Sequence, residues 1–281
     1  MARKAACVIG WPVGHSRSPL IHNHWIKEHG LDAEYRREAV PPDQFVDFIA
    51  QLAERGYAGG NVTVPHKEAA LALSEPDDRA RAVGAANTLW LDGGRLRSTN
   101  TDVEGFIANL DATASDWDRG PGSALVLGSG GAARAVVFGL LERGISRIFL
   151  ANRTFERAAA LRDKFGNRVE AVRWSDIDSH MAEAGLIVNT TSLGMAGQPP
   201  LTIDLARLPA GAVVSDLVYV PLETALLAAA KARGLRTVDG LGMLLHQAVP
   251  AFAKWFGIVP KVTAELRALL EEDIRAKTGS R

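Results

Sequence analysis

A lysine follows a strand-ending proline in the segment GGNVTVPHKE, residues 59–68. Valine and threonine at 62–64 favour a β-strand, and Pro65 can end that strand and enter the first turn of a helix. This arrangement predicts that Asn61, Thr63 and Lys67 lie near the carboxyl end of the strand, the edge where open α/β sheets bind ligands. An ammonium group held there can attract an anion or donate a proton. The spacing alone leaves open an ordinary strand–helix corner with a solvated lysine.

A glycine-rich turn forms the second candidate site. It lies between a predicted strand that ends at Leu127 and a predicted helix, and it fits the pattern G-x-G-x-x-A. Glycines permit a tight turn and a close approach of the backbone to a pyrophosphate, which faces the N-terminus of the helix. The candidate residues of this turn are Gly128, Ser129, Gly130, Gly131 and Ala132. We therefore predict a dinucleotide site, with a merely structural glycine turn as the alternative.

The end of the next predicted strand indicates which dinucleotide is bound. NAD-binding units usually carry Asp or Glu there to accept hydrogen bonds from the ribose 2′-hydroxyl. This chain has Asn152, Arg153 and Thr154 instead, with Arg157 one turn later. Arginine binds phosphate through its planar fork and can stack on adenine. We therefore predict NADP rather than NAD as the cofactor; the alternative is that both arginines are solvated surface charges.

The elements that must position these residues alternate between strands and helices, which favours mostly parallel sheets covered by helices. In the first hundred residues the predicted strands are Ala5–Gly10, Ala33–Val40 and Tyr57–Val64, the predicted helices are Ser18–His29, Pro41–Arg55 and Pro65–Leu73, and a hairpin joins Asn87–Leu91 to Arg95–Thr99. The polar segment Asp111–Gly122 is predicted to be a loop.

A second series of elements follows this loop, and its continuously apolar strands predict a doubly wound nucleotide-binding unit. Its predicted strands are Ala124–Leu127, Arg147–Ala151, Leu186–Thr190 and Val213–Val218, and its predicted helices are Ala132–Arg143, Phe155–Phe165 and Glu223–Arg233. Two final helices, Met243–Phe256 and Val262–Ala276, should pack back on the first domain. The predicted fold class is therefore two α/β domains, a mostly parallel-sheet domain followed by a Rossmann-like domain.

The composition limits the possible partners. The chain has 281 residues with 32 basic and 32 acidic side chains, so no overall positive field attracts nucleic acid or a membrane surface. The one cysteine, Cys7, excludes an intrachain disulfide, indicates a reducing compartment and is expected in the core. The N-terminus is not typical of a signal peptide, so we expect a cytoplasmic protein. The seven histidines show no metal-ligand spacing, and no metal is predicted.

Sequence motifs along the whole chain resemble the shikimate dehydrogenase family. In family order they are GWPVGHSRSP, NVTVPHK, GAANTL, NTD, GSGGAARA, ANRT, NTTSLGM, SDLVY and GLGMLLHQA. The resemblance implies reversible NADP-linked reduction of 3-dehydroshikimate to shikimate in aromatic amino-acid biosynthesis. It also implies a substrate-binding domain at 1–102 completed by helices at 241–281, and an NADP-binding Rossmann-like domain at 103–240. The protein is expected to act on this small molecule as a monomer or homodimer.

The resemblance also implies roles for individual residues. Ser16 and Ser18 would hold the substrate carboxylate; Thr63, Asn87, Asp102 and Gln247 would bind the ring hydroxyls; Lys67 and Asp102 would be catalytic. Besides the glycine turn and the Asn152–Arg157 segment, the implied cofactor-binding residues are Thr190, Ser192, Leu217, Gly240 and Met243.

Two departures from the family pattern are visible. His66 replaces a common Phe, and we expect it to pack beside the corner rather than act in proton transfer. Val103 follows Asp102 where the family often has Gly.

Two alternatives to this function stay open at the level of the sequence. One is a quinate or dual quinate/shikimate dehydrogenase, of which the NAD-linked type is disfavoured by Arg153 and Arg157. The other is a non-catalytic NADP-binding regulatory protein that has kept the fold and lost the chemistry.

Overall fold

The computed structural model describes residues 4–119 and 122–278, without the side chain of residue 278. The chain forms two compact units. The first runs to Asp102 and includes Leu244–Leu270, and the second consists of Val103–Met243 and the chain from Glu271 onward. The predicted partition differs at the C-terminus, because it assigned all of 241–281 to the first domain.

The first unit contains a six-stranded mixed sheet with the strand order β2-β1-β3-β5-β6-β4. Its strands are β1 (Lys4–Gly10), β2 (Ala33–Ala39), β3 (Tyr57–Val62), β4 (Glu75–Pro76), β5 (Thr88–Asp92) and β6 (Arg95–Thr99). Strand β1 is parallel to β2 and β3, whereas β5 is antiparallel to β3 and β6. The helices are α1 (Ser18–Glu28), α2 (Phe45–Ala50), α3 (Lys67–Ala72) and α4 (Asp78–Val83).

Several predicted elements of this unit are longer than those in the structure. A 3-10 turn at Pro42–Gln44 precedes the short α2. Strand β3 ends at Val62, and Pro65 lies in a turn before α3 rather than in its first turn, because α3 begins at Lys67. The His66 N–H closes this turn on the Thr63 carbonyl at 3.0 Å. The short β4 and α4 were not predicted.

The hairpin prediction is confirmed. Strands β5 and β6 are joined by Gly93 and Gly94, with φ angles of 57° and 79°. Positive φ at both positions matches the right-handed twist of the flanking strands, and glycine adopts it without a steric penalty.

The second unit contains a six-stranded parallel sheet with the order β12-β11-β10-β7-β8-β9. Its strands are β7 (Ser123–Leu127), β8 (Arg147–Asn152), β9 (Val169–Arg173), β10 (Leu186–Asn189), β11 (Val213–Asp216) and β12 (Arg236–Val238). Its helices include α6 (Gly131–Glu142), α7 (Phe155–Phe165), α8 (Ile177–His180) and α9 (Ala225–Ala232). The sequence did not predict β9 and β12. Both are edge strands with exposed charged residues, so neither has the continuous apolar run of a central strand.

The boundaries between the two units fall within three helices. They are α5 (Asp102–Thr113), α10 (Gly240–Phe256) and α11 (Ala264–Thr278). Helix α5 extends into the predicted loop Asp111–Gly122, of which residues 120 and 121 lie outside the described residues. Among the residues described, no helix is both long and apolar enough to span a membrane.

The part of α10 in the first unit packs as expected on that unit. Phe252 contacts Trp25 edge to face with ring centroids 5.5 Å apart, and Trp255 donates from Nε1 to the Leu89 carbonyl at 2.8 Å. A Cβ atom at Gly59 would lie 2.4 Å from Trp255 Nε1, so only glycine allows β3 to approach this indole. Cys7 of β1 is buried in the apolar core of this unit, as predicted.

Candidate active site

Lys67 and Asp102 form an ion pair in the first unit. Lys67 is the first residue of α3, and Asp102 lies at the start of α5. The Lys67 ammonium Nζ lies 2.5 Å from Asp102 Oδ2, and the two side chains are 22% and 12% exposed. The pair is therefore partly shielded from solvent, and the Lys67 side chain stays partly exposed.

Asn87 fixes the orientation of the Asp102 carboxylate. Its Nδ2 donates to Asp102 Oδ1 at 2.8 Å, and its Oδ1 accepts from the Thr101 N–H at 2.7 Å. The Asp102 N–H in turn donates to Asn100 Oδ1 at 3.1 Å. Both carboxylate oxygens therefore have partners, and the carboxylate cannot rotate without breaking one of these bonds.

A buried polar network extends from Asn87 toward β2. Thr88 Oγ1 donates to Asn87 Oδ1 and accepts from Asn61 Nδ2, each at 3.1 Å. Asn61 Oδ1 accepts from the Tyr35 hydroxyl at 2.7 Å. Burial raises the pKa of Tyr35 well above its usual value, so its hydroxyl is a donor at neutral pH. The roles of Tyr35 and Thr88 were not predicted, because only the sheet pairing brings them to this edge.

The two other predicted substrate-binding residues of this edge are Thr63 and Gln247. Gln247 is buried; its Oε1 lies 3.5 Å from Thr101 Oγ1, and its Nε2 donates to the Leu244 carbonyl at 3.0 Å. Thr63 is half-buried, and its N–H donates to the Ile9 carbonyl at 2.9 Å. A Cβ atom at Gly10 would lie only 2.4 Å from the Thr63 methyl group. Gly10 thus allows Thr63 to lie against the end of β1.

Ser16 and Ser18 lie together before and at the start of α1. Their hydroxyl oxygens are 3.3 Å apart, and Ser16 Oγ also accepts from the Ser18 N–H at 3.3 Å. Arg37 on β2 donates from Nε and Nη2 to the Ser16 carbonyl at 3.1 and 2.7 Å. The structure therefore brings the two predicted hydroxyls into one pair and adds a guanidinium group that was not predicted.

The position of His66 confirms that it packs beside the corner. The side chain is 2% exposed, its ring is stacked on Phe45 with centroids 4.3 Å apart, and its Nε2 lies 2.7 Å from the Val40 carbonyl oxygen. The other departure, Val103, is buried and lies against Gly139. Neither departure disturbs the bonds to the Asp102 carboxylate.

The glycine turn of the second unit has the geometry of a pyrophosphate site. Gly128 follows β7 with a φ of 105°, and Gly130 is the N-cap of the twelve-residue α6. A Cβ at Gly128 would lie 2.6 Å from Thr190 Oγ1, whereas one at Gly130 or Gly131 would have no neighbour within 4 Å. Ser129 and Ala132 complete the turn and are half-buried. Gly128 is thus required by the fold, while Gly130 and Gly131 leave open space in front of a helix N-terminus.

The predicted 2′-phosphate residues lie at the end of β8 and the start of α7. Asn152 donates from Nδ2 to the Thr154 carbonyl at 2.8 Å, and Thr154 is the N-cap of α7. Arg153 and Arg157 are exposed and form no ion pair among the described residues. Arg173 of β9, which pairs with Asn152 in the sheet, was not predicted to lie at this edge.

The remaining predicted cofactor residues lie on loops at the ends of β10 and β11 and at the start of α10. Thr190 Oγ1 donates to the Leu127 carbonyl at 2.7 Å. The side chain of Ser192, on the same loop, is exposed. A Cβ at Gly240 would lie 2.2 Å from the Leu217 carbonyl oxygen, so these two backbones are in direct contact. Met243 is 9% exposed and packs on the core of the second unit.

Asp216 holds these loops and was not predicted. It accepts from Asn189 Nδ2 at 2.8 Å, from the Val218 N–H at 3.0 Å and from Thr224 Oγ1 at 2.7 Å. Burial raises the pKa of this carboxyl group, and the three hydrogen bonds oppose that rise. Among the described residues, no group of three or more His, Cys, Asp or Glu side chains could hold a metal ion.

One unit thus carries a glycine turn on a parallel sheet with arginines at the next strand end, and the other carries an ordered Lys–Asp pair. These features define a two-unit, dinucleotide-linked oxidoreductase. Family models match the chain as a shikimate dehydrogenase substrate binding domain at 8–89, a shikimate/quinate 5-dehydrogenase at 119–196 and a shikimate 5′-dehydrogenase C-terminal domain at 240–270. The chain belongs to the shikimate dehydrogenase family, which confirms the resemblance seen in the sequence.

Individual relatives support this assignment. A shikimate dehydrogenase (NADP(+)) of Rhodopseudomonas palustris strain TIE-1 is 68% identical over 98% of this chain and 99% of the relative. The shikimate 5-dehydrogenase of Thermus thermophilus, solved in complex with NADP(H) and shikimate, has a TM-score of 0.82 and 36% identity, covering 97% of this chain and 98% of that one. A quinate dehydrogenase of Corynebacterium glutamicum, solved with NAD, has a TM-score of 0.86 and 33% identity, with 95% and 98% coverage. These structures confirm the predicted fold of two α/β domains.

Proposed function

We propose that this protein catalyses the reversible, NADPH-dependent reduction of 3-dehydroshikimate to shikimate, a step of aromatic amino-acid biosynthesis. The observation that carries the proposal is the Lys67–Asp102 pair, with Nζ and Oδ2 2.5 Å apart and Asn87 on the other carboxylate oxygen. The names of the relatives, shikimate dehydrogenase (NADP(+)), support both the substrate and the cofactor.

Lys67 is proposed as the proton donor for the new hydroxyl group. Bound NADPH supplies the hydride. As the substrate ketone is reduced, negative charge develops on its oxygen, and an ammonium group placed there stabilises that charge. Lys67 then transfers a proton from Nζ to this oxygen, and in the reverse direction it accepts the proton back. Asp102 orients the ammonium group and keeps it in place between turnovers.

The ring hydroxyls are proposed to be bound by Thr63, Asn87 and Gln247. A side-chain amide has two N–H donors, and only one of those on Asn87 is used by Asp102. The second is available to a substrate hydroxyl. Ser16 and Ser18 are proposed to bind the carboxylate, which two neighbouring hydroxyl donors can do.

Cofactor binding is proposed at the glycine turn and at the edge of the second sheet. Gly130 and Gly131 leave room for the pyrophosphate at the N-terminus of α6, where a helix stabilises negative charge. Arg153 and Arg157 are proposed to bind the 2′-phosphate, with Asn152 and Thr154 shaping the segment. The part of the cofactor site that holds the nicotinamide is proposed to be lined by Thr190, Ser192, Leu217, Gly240 and Met243.

The deciding experiment measures steady-state rates with shikimate and quinate, each with NADP and NAD. The proposal expects the highest kcat/KM with shikimate and NADP. A preference for quinate, or equal rates with both substrates, would favour the quinate or dual-specificity alternative. Tight NADP binding without turnover of either substrate would favour the non-catalytic alternative.

We also propose a cytoplasmic location, because the single cysteine of the chain is unpaired and buried, as is usual in a reducing compartment. A monomer or homodimer is proposed as the working assembly. Equilibrium sedimentation over a range of protein concentrations would distinguish these two states from higher oligomers.

A further inference from the structure

Arg37 binds the loop that presents the proposed carboxylate site. Its Nε and Nη2 donate to the Ser16 carbonyl oxygen at 3.1 and 2.7 Å. Both bonds come from one rigid guanidinium plane, so they fix the direction of the peptide group between Ser16 and Arg17 as well as its position. Because Ser18 is hydrogen-bonded to Ser16, this contact also fixes the separation of the two hydroxyls.

Strand alternation places Arg37 on the same face of β2 as Tyr35, because side chains two residues apart point the same way. Tyr35 and Ser18 are hydrogen-bonded, and the charge of Arg37 is near enough to lower the pKa of Tyr35, although burial raises it overall. The charge of Arg37 therefore acts on Tyr35, and its guanidinium group also binds the Ser16 carbonyl.

The adjacent Arg36 points to the opposite face and differs in its partners. It is paired with Glu34, and its guanidinium carbon lies 5.9 Å from the centre of the Tyr57 ring. Arg37 has no carboxylate within ion-pair distance among the described residues. Of these two neighbours, only Arg36 therefore has a carboxylate partner among the described residues.

We propose that Arg37 is a positioning and specificity residue for the substrate carboxylate, fixing the Ser16–Ser18 hydroxyl pair and supplying the positive charge that two neutral hydroxyls lack. This inference rests on the proposed function. Hydrogen bonds from serine orient a carboxylate, but they do not balance its charge. A nearby guanidinium group does so and makes the anion the preferred ligand over an uncharged analogue. Arg37 need not touch the substrate for either effect.

The test compares Arg37→Ala, Arg37→Lys and the matched control Arg36→Ala, using shikimate and its methyl ester as substrates. Because Arg37 is exposed, the KM for shikimate should rise about fivefold in Arg37→Ala, the scale of one solvent-exposed charge interaction. The kcat and the KM for NADP should stay within about twofold. Arg37→Lys keeps the charge but not the fork and should fall between the wild type and Arg37→Ala. Arg36→Ala should behave as the wild type.

The methyl ester separates recognition of charge from a general effect on the loop. With the ester, which keeps hydrogen-bond acceptors for the two hydroxyls but has no charge, the ratio of wild-type to Arg37→Ala kcat/KM should be clearly smaller than with shikimate, and raising the ionic strength should reduce the ratio for shikimate. Equal losses with acid and ester, or an unchanged KM for shikimate, would overturn the inference while leaving the proposed function intact. Absence of shikimate turnover in the wild type would instead refute the proposed function. Unfolding midpoints of the variants identify any loss due to misfolding.

Discussion

Asp102 contacts Lys67 and Asn87 at the same time, with one carboxylate oxygen for each. Oδ2 lies 2.5 Å from Lys67 Nζ, and Oδ1 accepts from Asn87 Nδ2 at 2.8 Å. Since Asn87 is itself held by the Thr101 N–H, the direction of the carboxylate is set by the backbone at the start of α5. The lysine, which is the long and flexible partner, is therefore oriented by a rigid one.

Replacing Lys67 with alanine should lower kcat by about 100-fold or more, the usual contribution of a positioned acid–base group. The proposed NADP site lies on the second unit, so cofactor affinity should be retained. Rapid-mixing and steady-state kinetics, with NADP binding followed by fluorescence titration, would measure both. Turnover close to that of the wild type in this variant would exclude Lys67 as the proton donor.

Replacing Arg153 with alanine should weaken NADP binding by about 10- to 100-fold, because a charge-assisted hydrogen bond contributes roughly 1.5–3 kcal/mol. The KM for NAD, which has no 2′-phosphate, should hardly change. Arg162→Ala is a suitable control, because Arg162 lies on α7, the helix that follows Arg153, and is paired with Asp163. Equal effects on NADP and NAD would contradict the assignment.

Two glycines of the turn should respond differently to replacement with alanine. Gly130→Ala adds a methyl group where no atom lies within 4 Å, so the free energy of unfolding should not fall, but the methyl should obstruct the pyrophosphate and raise the Kd for NADP. Gly128→Ala would place Cβ 2.6 Å from Thr190 Oγ1 at a φ of 105°, so stability itself should decrease. Urea unfolding and NADP titration of both variants check this. Similar losses of stability in the two would contradict it.

His22 should make the protein sensitive to acid. The ring is fully buried between Tyr35, at a centroid distance of 4.2 Å, and Phe252, and its nitrogens have no hydrogen-bond partner among the described residues. Burial lowers its pKa from 6.5 to about 3, although nearby Asn61 opposes this. Between these values the unfolded chain binds a proton that the folded chain does not, so the free energy of unfolding falls as the pH falls from 6.5 toward 3.

The variant His22→Phe should remove this acid destabilisation, which lowers the free energy of unfolding by about 3 kcal/mol at pH 4. Urea unfolding at several pH values should give a shallower loss of stability on acidification than in the wild type. His24→Phe, at a half-buried position of the same helix, controls for the added aromatic ring. Parallel pH profiles for His22→Phe and the wild type would show that His22 does not titrate between the two states.

Elements with strong local signals were predicted well. The hairpin at Gly93–Gly94, the buried strands β7, β10 and β11, and helix α7 all follow from turn chemistry or from apolar runs. The edge strands β9 and β12 were missed, because a half-exposed strand of three to five residues differs little from a loop in its sequence. The start of α3 was predicted two residues too early, because local propensity does not show that the hydrogen bond from His66 to Thr63 closes a separate turn before the helix.

The residue types of the candidate site, and their places at strand ends and helix starts, were determined by the sequence. Which of them lie in contact was decided by the tertiary structure. Lys67 meets Asp102 across 35 residues, Thr88 joins Asn61 to Asn87, and Arg37 binds the Ser16 carbonyl. The physical reason is that periodicity and turn chemistry act over a few residues, whereas these contacts depend on the order and register of strands that pair across the sheet.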